Sequence, residues 1–387
     1  MDRRRFLNTA VGVAALGPLG LNLSWAAVPA GADYRRLLVL IELKGGNDGL
    51  NTLVPYTDPA YYALRPKLAI PRDQVVQLSD RAGLHPALAP LSAFWKDRQL
   101  AVLQGVGYPA PNLSHFRSIE IWDTASKSEE YVQDGWLART FAAVPPPRTF
   151  AADGVIVGSN DLGPLAGSGA RAVSLANTEQ FLRQSRLAIP EGQANNKAFQ
   201  HILKVEADIV QAAAHLDARH PFKTEFPPGA FGNAIKTVCQ VVANPAGVAV
   251  VRVTLTGFDT HSGQPTTQAR LLSELAQGIV ALKSALEELR RWDDTLVLTY
   301  AEFGRRPREN LSLGTDHGTA SVHFAAGGRV AGGFYGEQAS LAGLGADGNP
   351  GYALDFRSVY ATVLERWWGV PATALGGKFT PVAFLRA

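Results

Sequence analysis

The chain has a single cysteine, Cys239, and a single methionine, Met1. One thiol excludes an intrachain disulfide and leaves too few thiolates for a Cys-type zinc site. Excess charge is lacking too. The 37 basic and 34 acidic residues give a net charge of +3, and part of that small surplus sits in the first five residues. No basic run offers nucleic acid an electrostatic footprint, so it is not expected as a partner. A GxSxG elbow is absent, which removes support for an α/β-hydrolase triad. No strand-like run is followed by GxGxxG or a Walker-type loop, so dinucleotide and nucleoside-triphosphate binding lack their signatures. Fixed-period repeats and low-complexity tracts are absent as well, against solenoids and propellers.

What is present begins with a leader. Asp2-Arg3-Arg4-Arg5-Phe6-Leu7 precedes a short apolar stretch, Ala10 to Leu23, and small residues around Ser24–Ala27. Gly12, Gly17, Pro18 and Gly20 interrupt that stretch, which makes it a poor membrane span. The order matches a signal peptide over residues 1–27, and Arg3–Arg4 before Phe6–Leu7 matches the twin-arginine kind. The expectation is a periplasmic or otherwise exported protein. Its partner in export is the twin-arginine translocase, and no transmembrane segment remains after the leader is removed. About 360 residues follow, enough for one large domain over 34–387.

Strand-like runs recur at 37–43, 100–106, 153–158, 248–256, 295–301 and 322–326. Helical patterns fall between them at 86–96, 178–186, 197–218, 230–242, 265–291 and 356–368. In 265–291, Leu271, Leu272, Leu275, Ile279, Leu282, Leu286 and Leu289 form one apolar stripe. Almost uniformly apolar strands alternating with helices predict an α/β fold around a mainly parallel sheet. The Pro- and Gly-rich stretch 145–235 reads as a helical insertion or cap.

Ligands of open α/β sheets sit beyond the carboxyl ends of strands, and the polar motifs fall at those ends. LVLIELKGGNDG puts Asp48 in a glycine turn after the first strand. GFDTHSGQ puts Asp259 and His261 two residues apart, where they can converge on a metal or serve as helix cap and turn histidine. TLVLTYAEFGRRPREN ends a strand at Glu302 and is followed by GTDHG, with Asp316 and His317 between glycines. His323, among apolar neighbours, reads as a strand histidine. In PNLSHFRS, Ser114 is either a metal-activated nucleophile or a helix N-cap. Arg117 is either an oxyanion clamp or a surface ion-pair partner. Carboxylates and imidazoles without thiolates suit one or two zinc, manganese or magnesium ions. The aromatics Tyr56, Tyr61, Tyr62, Trp95 and Trp136 suggest, more weakly, a polymer-binding surface.

Together the twin-arginine start, GGNDGLNTLVPY, GVGYPAPNLSHFRS, GFDTHSGQ and the EFGRRPREN…GTDHG pair resemble the exported bacterial family catalogued as domain of unknown function 1501. The resemblance runs from the leader to near the C-terminus. It implies an alkaline-phosphatase-like α/β/α sandwich with metals at the strand ends. By position, Asp48 resembles the early metal-binding aspartate and Ser114 the nucleophile. Asp259 with His261 resembles the later ligand pair, although the superfamily commonly spaces these further apart. TLVLTYAEFG resembles the strand ending in Asp-His-Gly, which puts Glu302 and Phe303 in ligand places. Phe303 cannot bind metal, so Asp316–His317–Gly318 is the alternative source of that ligand. The reading that follows is a metal-dependent hydrolase of a phosphate or sulfate ester. In it Ser114 attacks, Arg117 or Arg305 neutralises the ester, and Asp48, Asp259, His261, Glu302, Asp316 and His317 hold metal. The alternative is a non-catalytic envelope or partner-binding protein that retains the fold.

Overall fold

The computed structural model describes residues 32–175, 220–338 and 340–386. The leader and the expected helices 178–186 and 197–218 lie outside the described residues. In chain order the strands are β1 (Leu37–Lys44), β2 (Leu53–Val54), β3 (Val76–Gln77), β4 (Gly83–Leu84), β5 (Leu100–Gly107), β6 (Gly154–Val157) and β7 (Ala172–Leu175). They continue with β8 (Val250–Thr256), β9 (Thr295–Tyr300), β10 (Arg305–Glu309), β11 (Thr315–His317), β12 (Ser321–Ala326), β13 (Gly333–Gly336) and β14 (Leu354–Asp355). The longer helices and one shorter C-terminal helix are α1 (His115–Thr124), α2 (Trp136–Ala143), α3 (Ala230–Val242), α4 (Gln264–Glu288) and α5 (Phe356–Ala361).

Nine strands form one sheet in the order β13-β5-β12-β9-β1-β8-β6-β7, with β14 also beside β5. Every pairing in it is parallel except those of β12, which runs against both β5 and β9. The carboxyl ends of β1, β5, β8 and β9 therefore open on the same edge. Side chains of a strand alternate between faces, and both faces of β1 are covered. Leu38 and Leu40 pack with Trp122, Trp136, Phe356 and Tyr360. Val39, Ile41 and Leu43 pack with Ile235, Val238, Leu272 and Ile279 on the opposite side. The result is an α/β/α sandwich with a mixed, mostly parallel sheet. Among the described residues no helix is long and apolar enough to cross a membrane.

The apolar stripe on 265–291 becomes α4, which stops where Arg290 turns left-handed (φ 56°). The 86–96 pattern splits into a 3-10 segment, Pro86–Leu91, and a short α-helix, Ser92–Lys96. Pro90 is the reason, because it cannot donate the backbone bond that an α-helix needs there. Of the stretch 145–235, β6 and β7 extend the sheet and α3 begins near its end. Tyr56, Tyr61 and Trp136 are buried in the core, and Trp95 packs on Phe334. One charge pair interrupts the apolar face shared by Leu38 and Leu40. Arg252 on β8 donates to Glu42 of β1 at 2.8 Å and to the Tyr300 hydroxyl at 2.8 Å. Burial raises the Glu42 pKa despite the arginine.

Candidate metal centre

The site is built where β1, β8 and β9 end. Gly45 and Gly46 follow β1 with φ of 115° and 76°, a region that L side chains rarely adopt. A Cβ on Gly45 would lie 2.3 Å from the Asp259 amide nitrogen, and one on Gly46 would lie 2.5 Å from the Phe303 ring. Glycine at both positions lets the β1 exit close against the exits of β8 and β9. The same turn aims both amides at Glu302, the second residue after β9, with N···O distances of 3.0–3.2 Å.

Glu302, thus held as an acceptor, lies 2.7 Å from Nδ1 of His115, the first residue of α1. The network assigns the proton to Nδ1 and directs Nε2 towards Asp259 Oδ2, 3.4 Å away. That Nε2 is buried and has no hydrogen-bond partner among the described residues. The Glu302 hydrogen bond, opposed by burial, raises the His115 pKa. His317 ends β11 and is held by the same logic. Its Nδ1 donates to the Leu113 carbonyl at 2.8 Å, and its Nε2 faces Asp259 Oδ1 at 3.3 Å. Burial lowers the His317 pKa. His261 completes the set, with Nδ1 3.3 Å from Asp316 Oδ1 and Nε2 3.2 Å from Asp259 Oδ1. The Nε2 atoms of His261 and His317 are 2.9 Å apart.

Asp259 is the hub. Burial raises its pKa, but the Arg305 guanidinium, His317 and His115 outweigh that and hold it at about 2. Ligand atoms of His115, Asp259 and His317 all lie within 4.8 Å of one another. Around a tetrahedral zinc with ligands at ~2.0–2.1 Å, neighbouring ligand atoms stand about 3.3 Å apart, close to the Asp259–imidazole spacings. Each imidazole has an acceptor behind it, as is usual for metal-bound histidines. An orphaned buried Nε2 and a depressed carboxylate therefore fit one divalent ion. Imidazole-rich donors favour zinc over magnesium. The Asp259 side chain is 48% exposed, so the site opens to solvent.

Of the residues expected from sequence to bind metal, Asp259, His261 and His317 are brought together. Glu302 and Asp316 stand one shell out, behind His115 and His261. Asp48 stands apart. It is 1% exposed and caps the short helix Gly49–Thr52 through the Leu50 and Asn51 amides. Its other oxygen accepts from Arg65 at 2.6 Å and from Gln264 at 2.5 Å, so a buried guanidinium fills the side where a metal was expected. Phe303 packs against the rings of His115 and His317, with centroids 4.8 and 4.6 Å away. His323 is buried beside Trp122 on β12, away from these groups.

The three expected catalytic residues are placed differently from one another. Ser114 is exposed at the N-cap of α1 and makes no side-chain capping bond. It stands between Leu113, which holds His317, and His115. Arg117 is committed elsewhere, to the carbonyls of Lys127, Ser128 and Glu130, the Glu120 carboxylate and the Tyr131 ring. Arg305 is fully buried and donates to the carbonyls of Gly45, Gly46, Phe258 and Thr315 and to Asp259. Its work is to lock three strand exits together and orient Asp259. His115 is the residue that sequence reasoning passed over. Its signal was its place beside Ser114, in the loop after a strand whose neighbours carry acidic ends.

Several solved structures are remotely similar. The zinc complex of the C-terminal periplasmic domain of EcEptC from Escherichia coli is 9% identical, with 78% of each chain covered and a TM-score of 0.38. The lipoteichoic acid synthase LtaP from Listeria monocytogenes is 8% identical over 87% of this chain and 74% of that one, with a TM-score of 0.38. The phosphonate monoester hydrolase of Agrobacterium radiobacter is 10% identical over 75% of this chain and 67% of that one, with a TM-score of 0.34. No curated protein matches. Residues 89–375 match the family described as protein of unknown function DUF1501, and the chain belongs to that family.

Proposed function

We propose that this is an exported, metal-dependent hydrolase of a phosphate or sulfate ester, with Ser114 as nucleophile. The observation that carries the reading is the set of imidazoles, each anchored through Nδ1, whose Nε2 atoms converge on Asp259. His115, Asp259, His261 and His317 would hold one ion, zinc or manganese in preference to magnesium. When bound, such an ion supplies a Lewis acid for an ester oxygen and lowers the pKa of a nearby hydroxyl. Ser114 would attack phosphorus or sulfur, and the alcohol would leave with a proton. Water would then displace the serine oxygen, releasing phosphate or sulfate. Because no side chain caps α1, its first-turn amides are available to the ester's anionic oxygens. Export by the twin-arginine translocase belongs to the same proposal and rests on residues 2–27.

Metal content measured by plasma mass spectrometry on protein from its native export route tests the centre. About one ion per chain is expected, lost in His115→Ala, Asp259→Ala and His317→Ala. Ser114→Ala should keep the ion and the thermal midpoint while abolishing ester turnover. Folded protein without metal would sink the proposal. A second reading, a metal-holding protein without turnover, is favoured by one observation: Arg305 is fully engaged by protein acceptors, and Arg117 is turned to the Lys127–Glu130 carbonyls and the Glu120 carboxylate. An ion lost in the three variants, with no ester hydrolysed, would support it.

A further inference from the structure

A cleft of about 410 Å³ is lined by Tyr108, Pro111, Thr319, Asp347, Asn349 and Tyr352 among others, on segments continuous in sequence with Leu113 and His317. We propose that this cleft receives the alcohol portion of the ester, and that this portion is an uncharged, hydroxyl-rich ring of the carbohydrate class. The assignment rests on the hydrolase reading above and deepens it.

Position is the first argument. Pro111 is two residues before Leu113, whose carbonyl holds His317, and Thr319 is two residues after His317. Two residues of extended chain span at most ~7 Å, so Pro111 lies within that reach of Leu113 and Thr319 within that reach of His317. The far wall is tied down rather than loose. Thr319 Oγ1 donates to the Pro350 carbonyl at 2.7 Å, and the Ala353 amide donates to the Gly105 carbonyl of β5 at 2.8 Å. Between those anchors, Gly345 N donates to Asn349 O and Gly348 N to Gly345 O, both at 2.8 Å. The 345–349 turn is therefore pre-formed.

Chemistry is the second argument. Among the described residues no lysine or arginine lines the cleft. A second anionic group there would meet the Asp347 carboxylate, which selects against it. Asn349 is 4% exposed, and its Oδ1 has no partner among the described residues. Asp347 accepts the Asn349 amide at 3.1 Å and its Nδ2 at 2.9 Å, one bond on each oxygen, with lone pairs to spare. Asp347 is thus an exposed acceptor in the cleft, which suits a ligand that presents hydroxyl groups. Tyr352 is 41% exposed and offers a ring face for the C–H side of a sugar. A Cβ on Gly351 would meet nothing within 4 Å, so the floor next to that ring is open. One exposed ring is not the aromatic cage that holds a quaternary ammonium.

The test uses the zinc-loaded protein and the exposed-site variants Asp347→Ala and Tyr352→Ala, which leave the metal cluster intact. Turnover is measured on hexose phosphates and sulfates, on phosphocholine, and on 4-nitrophenyl phosphate and sulfate. Binding of free hexoses is read separately by saturation-transfer NMR. The expected result is a KM for hexose esters raised about tenfold in each variant, a larger change than either variant makes for the nitrophenyl esters. The free-hexose signal should disappear in both. Nitrophenyl esters hydrolysed without hexose binding, or an unmoved hexose-ester KM, would overturn the cleft assignment and leave the hydrolase standing. Hexose binding lost in the variants, with no ester hydrolysed, would support the cleft and overturn the hydrolase. Preference for phosphocholine would overturn the carbohydrate class.

Discussion

Replacing Glu302 by glutamine keeps the side-chain shape and removes the charge behind His115. The Gly45 and Gly46 amides still find an oxygen, but the bond that fixes the imidazole weakens. Loss of such a supporting carboxylate typically lowers metal affinity ~10–100-fold, and competition with a chelator of known affinity would read it. Unchanged affinity would remove Glu302 from the centre. Asp48→Ala should do the reverse, leaving metal content as in wild type while stripping the buried Arg65 of its carboxylate. Removing one partner of a buried pair costs about 3–5 kcal/mol, visible in a urea melt. Glu302 and Asp48 look alike in sequence, each an acidic residue at a strand end. What separates them is the neighbour that reaches each one, His115 across 187 positions and Arg65 across 17.

Among the elements, β1 and β8 carry the charge pair that ties the middle of the sheet together. Arg252 is fully buried and donates to Glu42, to the Tyr300 hydroxyl and to the Asp161 carbonyl. Arg252→Ala would leave Glu42 buried without its cation, at a cost of about 3–5 kcal/mol. A thermal midpoint unchanged from wild type would show that the pair contributes nothing. Arg252 interrupts the apolar run VAVVRVTLT, yet β8 forms over Val250–Thr256 as its β-branched residues predict. The short strands β10 and β11 were illegible by contrast. Neither has an apolar alternation, and their pairing is imposed by Arg305 and by the closing of the loop on His261.

At the scale of the whole molecule, two buried histidines weaken the fold in acid. His85 and His323 are 6% and 2% exposed, and burial lowers their pKa values from 6.5 to about 4 and about 3. At these two positions the folded chain therefore binds fewer protons than the unfolded chain below pH 6.5. The stability they contribute is complete above that pH and is lost as pH falls towards 4 and then 3. Each withdraws roughly 3 kcal/mol by pH 4. Urea midpoints of chelator-treated protein at pH 7 and pH 4.5 should show the drop, and His323→Leu should remove about half of it. An equal drop in that variant would refute the account.

Apolar runs and helical stripes were enough to predict the six central strands, α3 and α4, because burial on both faces leaves those segments no other use for their side chains. The same patterns placed the polar motifs at the carboxyl edge of the sheet. Sequence could not assign roles among those motifs. Whether a carboxylate meets a metal, an imidazole or an arginine depends on groups brought from distant parts of the chain, and hydrogen-bond reach is a few ångströms. Tertiary structure alone set Asp259 among three imidazoles, moved Glu302 and Asp316 behind them, and gave Asp48 to Arg65.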